Sequence, residues 1–318
     1  MFSIILIVLG LCLFETISSI DNAIINAEVL SGMGQKARKW FMTWGLLIAV
    51  VAIRGLLPWM IMWIVNPYLG PIGALTASFS NDSTLKAALQ FSTPILMMGG
   101  GIFLLFLFLH WLFLEEKNFG LPKAEKFFMA KGIWYYAMVS IILCMITWFA
   151  LRIDSMLAFG AVVGSTAFFI THGFRQNAEK SESLAMSNSS VMSDISKLLF
   201  LEIIDAAFSF DGVLGAFAFT FSIPLILIGN GLGAVIVRQL TLGNIDRIKK
   251  YLYLKNGAMY SILVLGFVMV LKGFSIEVPE WISPLATFAI VGFFFFRSKD
   301  EISNQNSVQP LNSYRNAQ

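Results

Sequence analysis

Charge is what this sequence has least of. Asp, Glu, Lys and Arg together make up 13% of its 318 residues, against about 25% in ordinary soluble domains. A soluble globular fold or a DNA-binding module is therefore excluded, and no nucleic-acid partner is expected. Cysteine is nearly as scarce. Cys12 and Cys144 are the only two, both inside apolar runs, which leaves no disulfide framework and no cysteine metal site. No nucleophile–His–acid constellation is visible. Gly229-Asn-Gly-Leu-Gly233 lacks the preceding strand and the spacing of a nucleotide fingerprint. Neither an enzyme nor a permanent cofactor is expected.

What the chain has instead is apolar length. Hydrophobic residues make up 57%, gathered in blocks of about 16–25 residues, where about 20 cross a bilayer as helix. The blocks fall at roughly 2–30, 41–65, 94–114, 133–151, 155–172, 198–220, 222–237, 256–273 and 281–296. They predict an all-α, polytopic transmembrane bundle of about nine spans over residues 1–296, followed by a disordered cytoplasmic tail over 297–318. The first block does not read as a cleavable signal, because no Lys or Arg precedes Lys36. The outer segment from Asn66 to Thr93 reads as turns around a short interfacial helix, and Gly173 to Ser196 as a flexible connector. All but Lys86, Arg152, Arg54 and Lys272 of the 22 basic residues fall on alternate connections. That bias puts those connections in the cytoplasm, the N-terminus outside and the C-terminus inside.

Five acids interrupt two of the spans. In the first, Glu15, Ser18, Ser19, Asp21 and Asn22 break the apolar run; in the sixth, Glu202, Asp205, Ser209, Asp211 and Gly212 do so. An acid at mid-membrane costs about 2.5–3.5 kcal/mol, so five cost on the order of 10 kcal/mol or more without partners or a cation. Aligned on Ser-x-Asp, Glu15 matches Asp205, Ser19 matches Ser209 and Asp21 matches Asp211. The shared pattern, acid-x-x-x-Ser-x-Asp, runs in opposite directions through the bilayer, as inverted repeats of secondary transporters do. At about 100° per residue, Asp21 and Asp211 point about 120° away from the acid before them. Each helix is therefore expected to unwind near its Ser-x-Asp so that the acids share one cavity; straight helices would give Asp21 and Asp211 different neighbours.

Hard oxygen donors suit Mg²⁺, Ca²⁺ or Mn²⁺ rather than Zn²⁺ or Cu⁺. The expected metal ligands are Glu15, Asp21, Asn22, Asp205, Ser209 and Asp211, with Ser18, Arg54, Glu202 and Asn230 around them. Arg54 is the best intramembrane partner for the acids, either neutralising one of them when the cation leaves or anchoring packing. His110 and His172 read as cytoplasmic-side interfacial residues. The spacing of Gly229 and Gly233 predicts close helix approach.

Glu15-x-x-x-Ser19-x-Asp21-Asn22 and Asp205-x-x-Phe208-Ser209-x-Asp211, with Val278-Pro279-Glu280-Trp281-Ile282 near the last span, resemble the TerC-like integral membrane proteins, grouped with the LysE-type exporters. The likeness covers roughly residues 1–296 and suggests a branch long labelled as of unknown function. It implies a bacterial inner-membrane protein associated with manganese efflux and, under the older name, tellurite resistance, and the same six metal-site residues. Gly212 departs from the pattern, standing where TerC-like motifs commonly carry Ser. The leading expectation is a secondary exporter of Mn²⁺ or a similar divalent cation. Rival readings are a membrane partner of the secretion machinery that delivers metal to secreted proteins, and an exporter of a small organic cation or amino acid. The last would need a larger cavity with apolar or aromatic walls.

Overall fold

The structure, a computed structural model, describes residues 2–65, 67–76, 83–187, 193–243 and 250–315. Among them there is no strand. In chain order the helices are α1 (Phe2–Ser18), α2 (Ile20–Ser31), α3 (residues 35–65), α4 (Ser83–Leu114), α5 (Pro122–Met129), α6 (Tyr135–Leu151), α7 (Ser155–Ser187), α8 (Asp194–Phe217), α9 (Ile223–Gly243), α10 (Leu254–Gly273) and α11 (Ile282–Arg315). A short helix, Gly70–Thr76, follows α3 in the segment read as outer, whose residues 77–82 lie outside the described ones, but residues 83–93 are the start of α4 and not the turns expected there.

The apolar blocks became helices because, without water, a backbone can satisfy its polar groups only within itself. Among the described residues, six helices are long and apolar enough to cross a membrane, or seven if α1 and α2 form one bent span. The blocks at 155–172 and 222–237, which look short in sequence, belong to full apolar stretches, Ser155–Asn177 and Ile223–Leu240. The other two blocks are helical but fall outside that set: π turns at Phe41–Gly45 and Ala49–Leu56 interrupt α3, and α8 carries Glu202, Asp205 and Asp211.

Helix α4 is the axis of the bundle. Residues 102–108 are buried on every side, and α10 and α7 pack along it. Glycines set the distance. A Cβ on Gly164 of α7 would collide with the backbone of Gly99, and one on Gly101 would lie 2.9 Å from Val270 N of α10. Such close approach is how helices associate where burial of apolar surface offers no drive. Gly164→Leu is accordingly expected to separate α4 from α7. Overpacking of this kind costs about 1–3 kcal/mol or more, read as a lowered unfolding midpoint in detergent, whereas Gly173→Leu, with open space at that Cβ, should leave it unchanged. The outer faces are apolar: Ile141, Met145, Trp148 and Phe149 on α6 and Val163 and Ile170 on α7 are exposed. Large exposed apolar faces of this kind suit a lipid surround.

Two helices run beyond the apolar blocks. The stretch read as a flexible connector is helical to Ser187, with 188–192 outside the described residues, and α11 continues through the polar residues after Arg297 to Arg315. Extending an existing helix avoids the unfavourable nucleation step. At the end of α4, Lys117 Nζ donates to the carbonyls of Trp111 and Leu112 and lies 4.2 Å over the Trp111 ring. Burial pushes this ammonium down to about 8, against the pull of Glu115 and Glu125.

Candidate functional site

The site begins with a bend. Ser19 falls outside both α1 and α2, and the two segments Phe2–Ser18 and Asn22–Ser31 meet at 58°. The Ser19 hydroxyl donates to Glu15 Oε1 at 2.8 Å. Helix α9 fixes the other side of Glu15. Gly233 has no side chain where a Cβ would sit 2.6 Å from Glu15 Cβ and 2.8 Å from Cys12 O, and Gly229 fits against Leu11. The expected close approach of that Gly-x-x-x-Gly stretch is thus between α9 and α1, directly behind the acid.

Arg54 lies in the second π turn of α3 and is 2% exposed. Its Nε and Nη2 both donate to Glu15 Oε1, at 2.9 and 2.5 Å, and its Nη1 lies 3.7 Å from Asp205 Oδ2. One guanidinium therefore joins a carboxylate of α1 to a carboxylate of α8. π turns recur at functional positions because they re-aim the side chains of one turn. Asn22 Nδ2 donates to Asp205 Oδ1 at 2.5 Å, and Arg238 Nη2 stands 3.9 Å from Asp205 Oδ2. Arg238 itself is held by the Phe41 carbonyl and stacks 3.7 Å over the Phe41 ring. Glu15 and Asp205 are 1% and 5% exposed.

Three of the six expected ligands, Glu15, Asn22 and Asp205, therefore meet around Arg54. The side chains of Asp21 and Ser209 lie outside the described residues. Asp211 does not join the cluster. Helix α8 is continuous from Asp194 to Phe217, so the unwinding expected at its Ser-x-Asp is absent and only the first motif breaks. In a straight helix the six-residue step from Asp205 turns Asp211 about 120° aside, where its Oδ2 pairs with Arg175 Nη1 at 3.1 Å. Gly212 still touches the first motif, since a Cβ there would lie 2.8 Å from Glu15 Oε2. The position where TerC-like motifs carry Ser is thus a place where this chain makes room for Glu15.

Of the surrounding residues, Ser18 donates to Glu15 O at 3.3 Å and shares with Asp211, Arg175, Glu115 and Lys255 a cavity of about 30 Å³. Glu202 is half-buried, and both its carboxylate oxygens lack hydrogen-bond partners. Asn230 is fully buried, with neither amide atom partnered. Next to Asp211 lies a second charged group: Glu115 pairs with Lys255 at 3.1 Å and with His110 Nδ1 at 3.5 Å, and the His110 and His172 rings are 4.0 Å apart. Burial alone would raise the Glu115 carboxyl, but the His110 hydrogen bond and the Lys255 and Arg175 charges outweigh it and hold it below the usual carboxylate range.

Arg175 and Arg238, which pair with Asp211 and Asp205, are residues that sequence reading places in connections. Both lie just past the ends of the apolar blocks, at His172 and Val237, on helices that simply continue; Arg175 is one turn past His172, on the same face. Among the described residues, no three of His, Cys, Asp and Glu gather closely enough to hold a metal. The acids are instead occupied by arginine. A family model described as “Protein of unknown function (DUF475)” matches residues 20–306. No curated protein and no solved structure matches the chain.

Proposed function

The chain belongs to the DUF475 family, and from that premise we propose that it is a secondary transporter exporting Mn²⁺ or a similar hard divalent cation. The observation that carries this reading is Arg54, one buried cation held between Glu15 and Asp205. These two acids sit on the two helices that share acid-x-x-x-Ser-x-Asp. Arg54 takes the place of a transported cation: when a metal arrives, the guanidinium gives up the carboxylates, and when the metal leaves it returns. Neither step leaves a bare acid pair in the membrane, where an uncompensated charge is costly. Protons competing for the same carboxylates supply the exchange ion.

The same reading takes the nine blocks as nine crossings, related in part as an inverted repeat, with the N-terminus outside and the C-terminus in the cytoplasm of a bacterial inner membrane. The bias of basic residues and the likeness to TerC-like proteins support it. The cavity beside Asp211 suits an ion rather than an amino acid, at about 30 Å³. A larger one of about 1000 Å³, with Phe217, Phe219 and Phe221 in its wall, lies at the far end of the bundle by Lys272 and Glu280. An organic solute has room there, away from the Arg54 cluster.

The deciding experiment is flux in proteoliposomes loaded in turn with Mn²⁺, Mg²⁺ and Ca²⁺. Wild-type protein is expected to move at least one of them, and Glu15→Gln and Asp205→Asn to lose about 100-fold or more while still inserting, the scale of an essential ligand. Undiminished flux in both variants discards the site. A metal effect on secreted enzymes with no vesicle flux turns the reading toward a delivery partner of the secretion machinery.

A further inference from the structure

Buried oxygen atoms on α2 and α8 have nothing to accept. Asn22 Oδ1, Asn26 Oδ1 and both carboxylate oxygens of Glu202 are buried without a hydrogen-bond partner, and Asn22 and Asn26 are each 3% exposed. The Asn22 amide is oriented by its donation from Nδ2 to Asp205, which turns Oδ1 away from that acid. A buried acceptor without a donor costs free energy.

Three contacts set how the two helices lie together. Asn22 meets Asp205, Lys197 Nζ donates to Gly32 O at 3.0 Å, and Gly34 N donates to Asp194 at 3.3 Å. The helices are antiparallel, so one turn forward on α2, from Asn22 to Asn26, corresponds to one turn back on α8, from Asp205 to Glu202. That register puts Asn26 level with Glu202. Helix α3 closes the third side at Gly45. A Cβ there would fall on Glu202 Oε1 and 3.1 Å from Arg238 Nη1, so the absent side chain leaves the hollow that the carboxylate tip fills. Arg238 borders the same hollow: its Nη1 is taken by the Phe41 carbonyl and its guanidinium stacks on the Phe41 ring, while its Nη2 is buried without a hydrogen-bond partner.

We infer that Asn22, Asn26 and Glu202 form a second cation site, one turn from the Arg54 cluster toward the Lys197 end of the bundle. Two carboxamide oxygens and a carboxylate are hard donors, which select a divalent ion of the Mg²⁺, Mn²⁺ or Ca²⁺ kind. In transport, the role given to it rests on the reading of the chain as a cation exporter: it loads the ion one step before the ion displaces Arg54. Binding at the site does not depend on that role.

Equilibrium binding of Mn²⁺ to the full chain in detergent, followed by the paramagnetic resonance of free Mn²⁺ and competed with Mg²⁺ and Ca²⁺, tests it. Asn26→Leu removes an oxygen at nearly constant volume, and Gly45→Ala pushes the Glu202 tip from its hollow with every charge kept. Both are expected to weaken one class of Mn²⁺ sites about tenfold or more, while Glu15→Gln retains that class. The unfolding midpoint of metal-free Asn26→Leu should not fall, since a purely structural asparagine would leave a weaker fold and unchanged binding. Mn²⁺ binding equal to wild type in both variants, or no binding of the three ions by wild type, overturns the site. Binding lost in the variants together with absent vesicle flux supports the site and sinks only the transport reading.

Discussion

Arg54→Met is expected to lower the stability of the detergent-solubilised protein by about 3–5 kcal/mol, the scale of stranding a buried charge. Methionine fills much of the space, so the loss is electrostatic rather than a cavity. Among the described residues, Glu15 keeps the Ser19 hydroxyl on Oε1 at 2.8 Å, while Asp205 keeps Asn22 at 2.5 Å and Arg238 at 3.9 Å. Glu15 is therefore the group left exposed to the penalty. The unfolding midpoint in micelles measures it. Divalent cation should return part of the loss, because a ligand at 100 times its dissociation constant stabilises by about 2.7 kcal/mol. A contrast lies at Lys255–Glu115, whose side chains are 35% and 27% exposed. Breaking a pair so open to solvent by Lys255→Met should cost no more than about 1 kcal/mol. Equal, small effects at both places would mean that Arg54 does not hold the acids in solution.

The class of the fold was legible because lipid leaves a backbone few choices. Apolar runs of span length had to be helices, and polar residues inside them had to face protein. Arg54 was legible as the partner of the acids for the same reason: a base in mid-span has nowhere else to go, and it does pair with Glu15 and Asp205. The break at Ser19 could be read from the concentration of hydroxyls and amides around it. Its counterpart in α8 could not. Asp205 to Asp211 has the same pattern, yet α8 stays helical, and Asp211 finds Arg175 without any unwinding. A symmetric sequence does not require a symmetric backbone when one acid already has a neighbour. The arginines of the second layer were hidden by where the apolar runs stop. Hydropathy falls at His172, before Arg175, and at Arg238 itself, but the helices α7 and α9 continue past both. The π turns of α3 were equally invisible, since they change which carbonyl an amide meets and leave composition untouched.

Replacing Arg54 and Glu15 together separates what the ion pair does for the fold from the part proposed for it in transport. The double variant Arg54→Met/Glu15→Met removes both charges and leaves no stranded carboxylate on α1, while Asp205 retains Asn22 and Arg238. Replacing a buried ion pair by apolar side chains of similar volume is often neutral or stabilising by about 1–4 kcal/mol. The double variant should thus recover most of the midpoint that Arg54→Met loses, and by more than additivity, because the two groups share one contact. Transport should not recover. With Glu15 gone, the cation loses a ligand that cannot be supplied from α8, and vesicle flux is expected to remain down about 100-fold or more. A double variant that is both stable and fully active would show that the acids and Arg54 are only packing. Stability regained without flux would mean the opposite: the charges are kept in the membrane, at a cost to the fold, because an ion has to replace one of them.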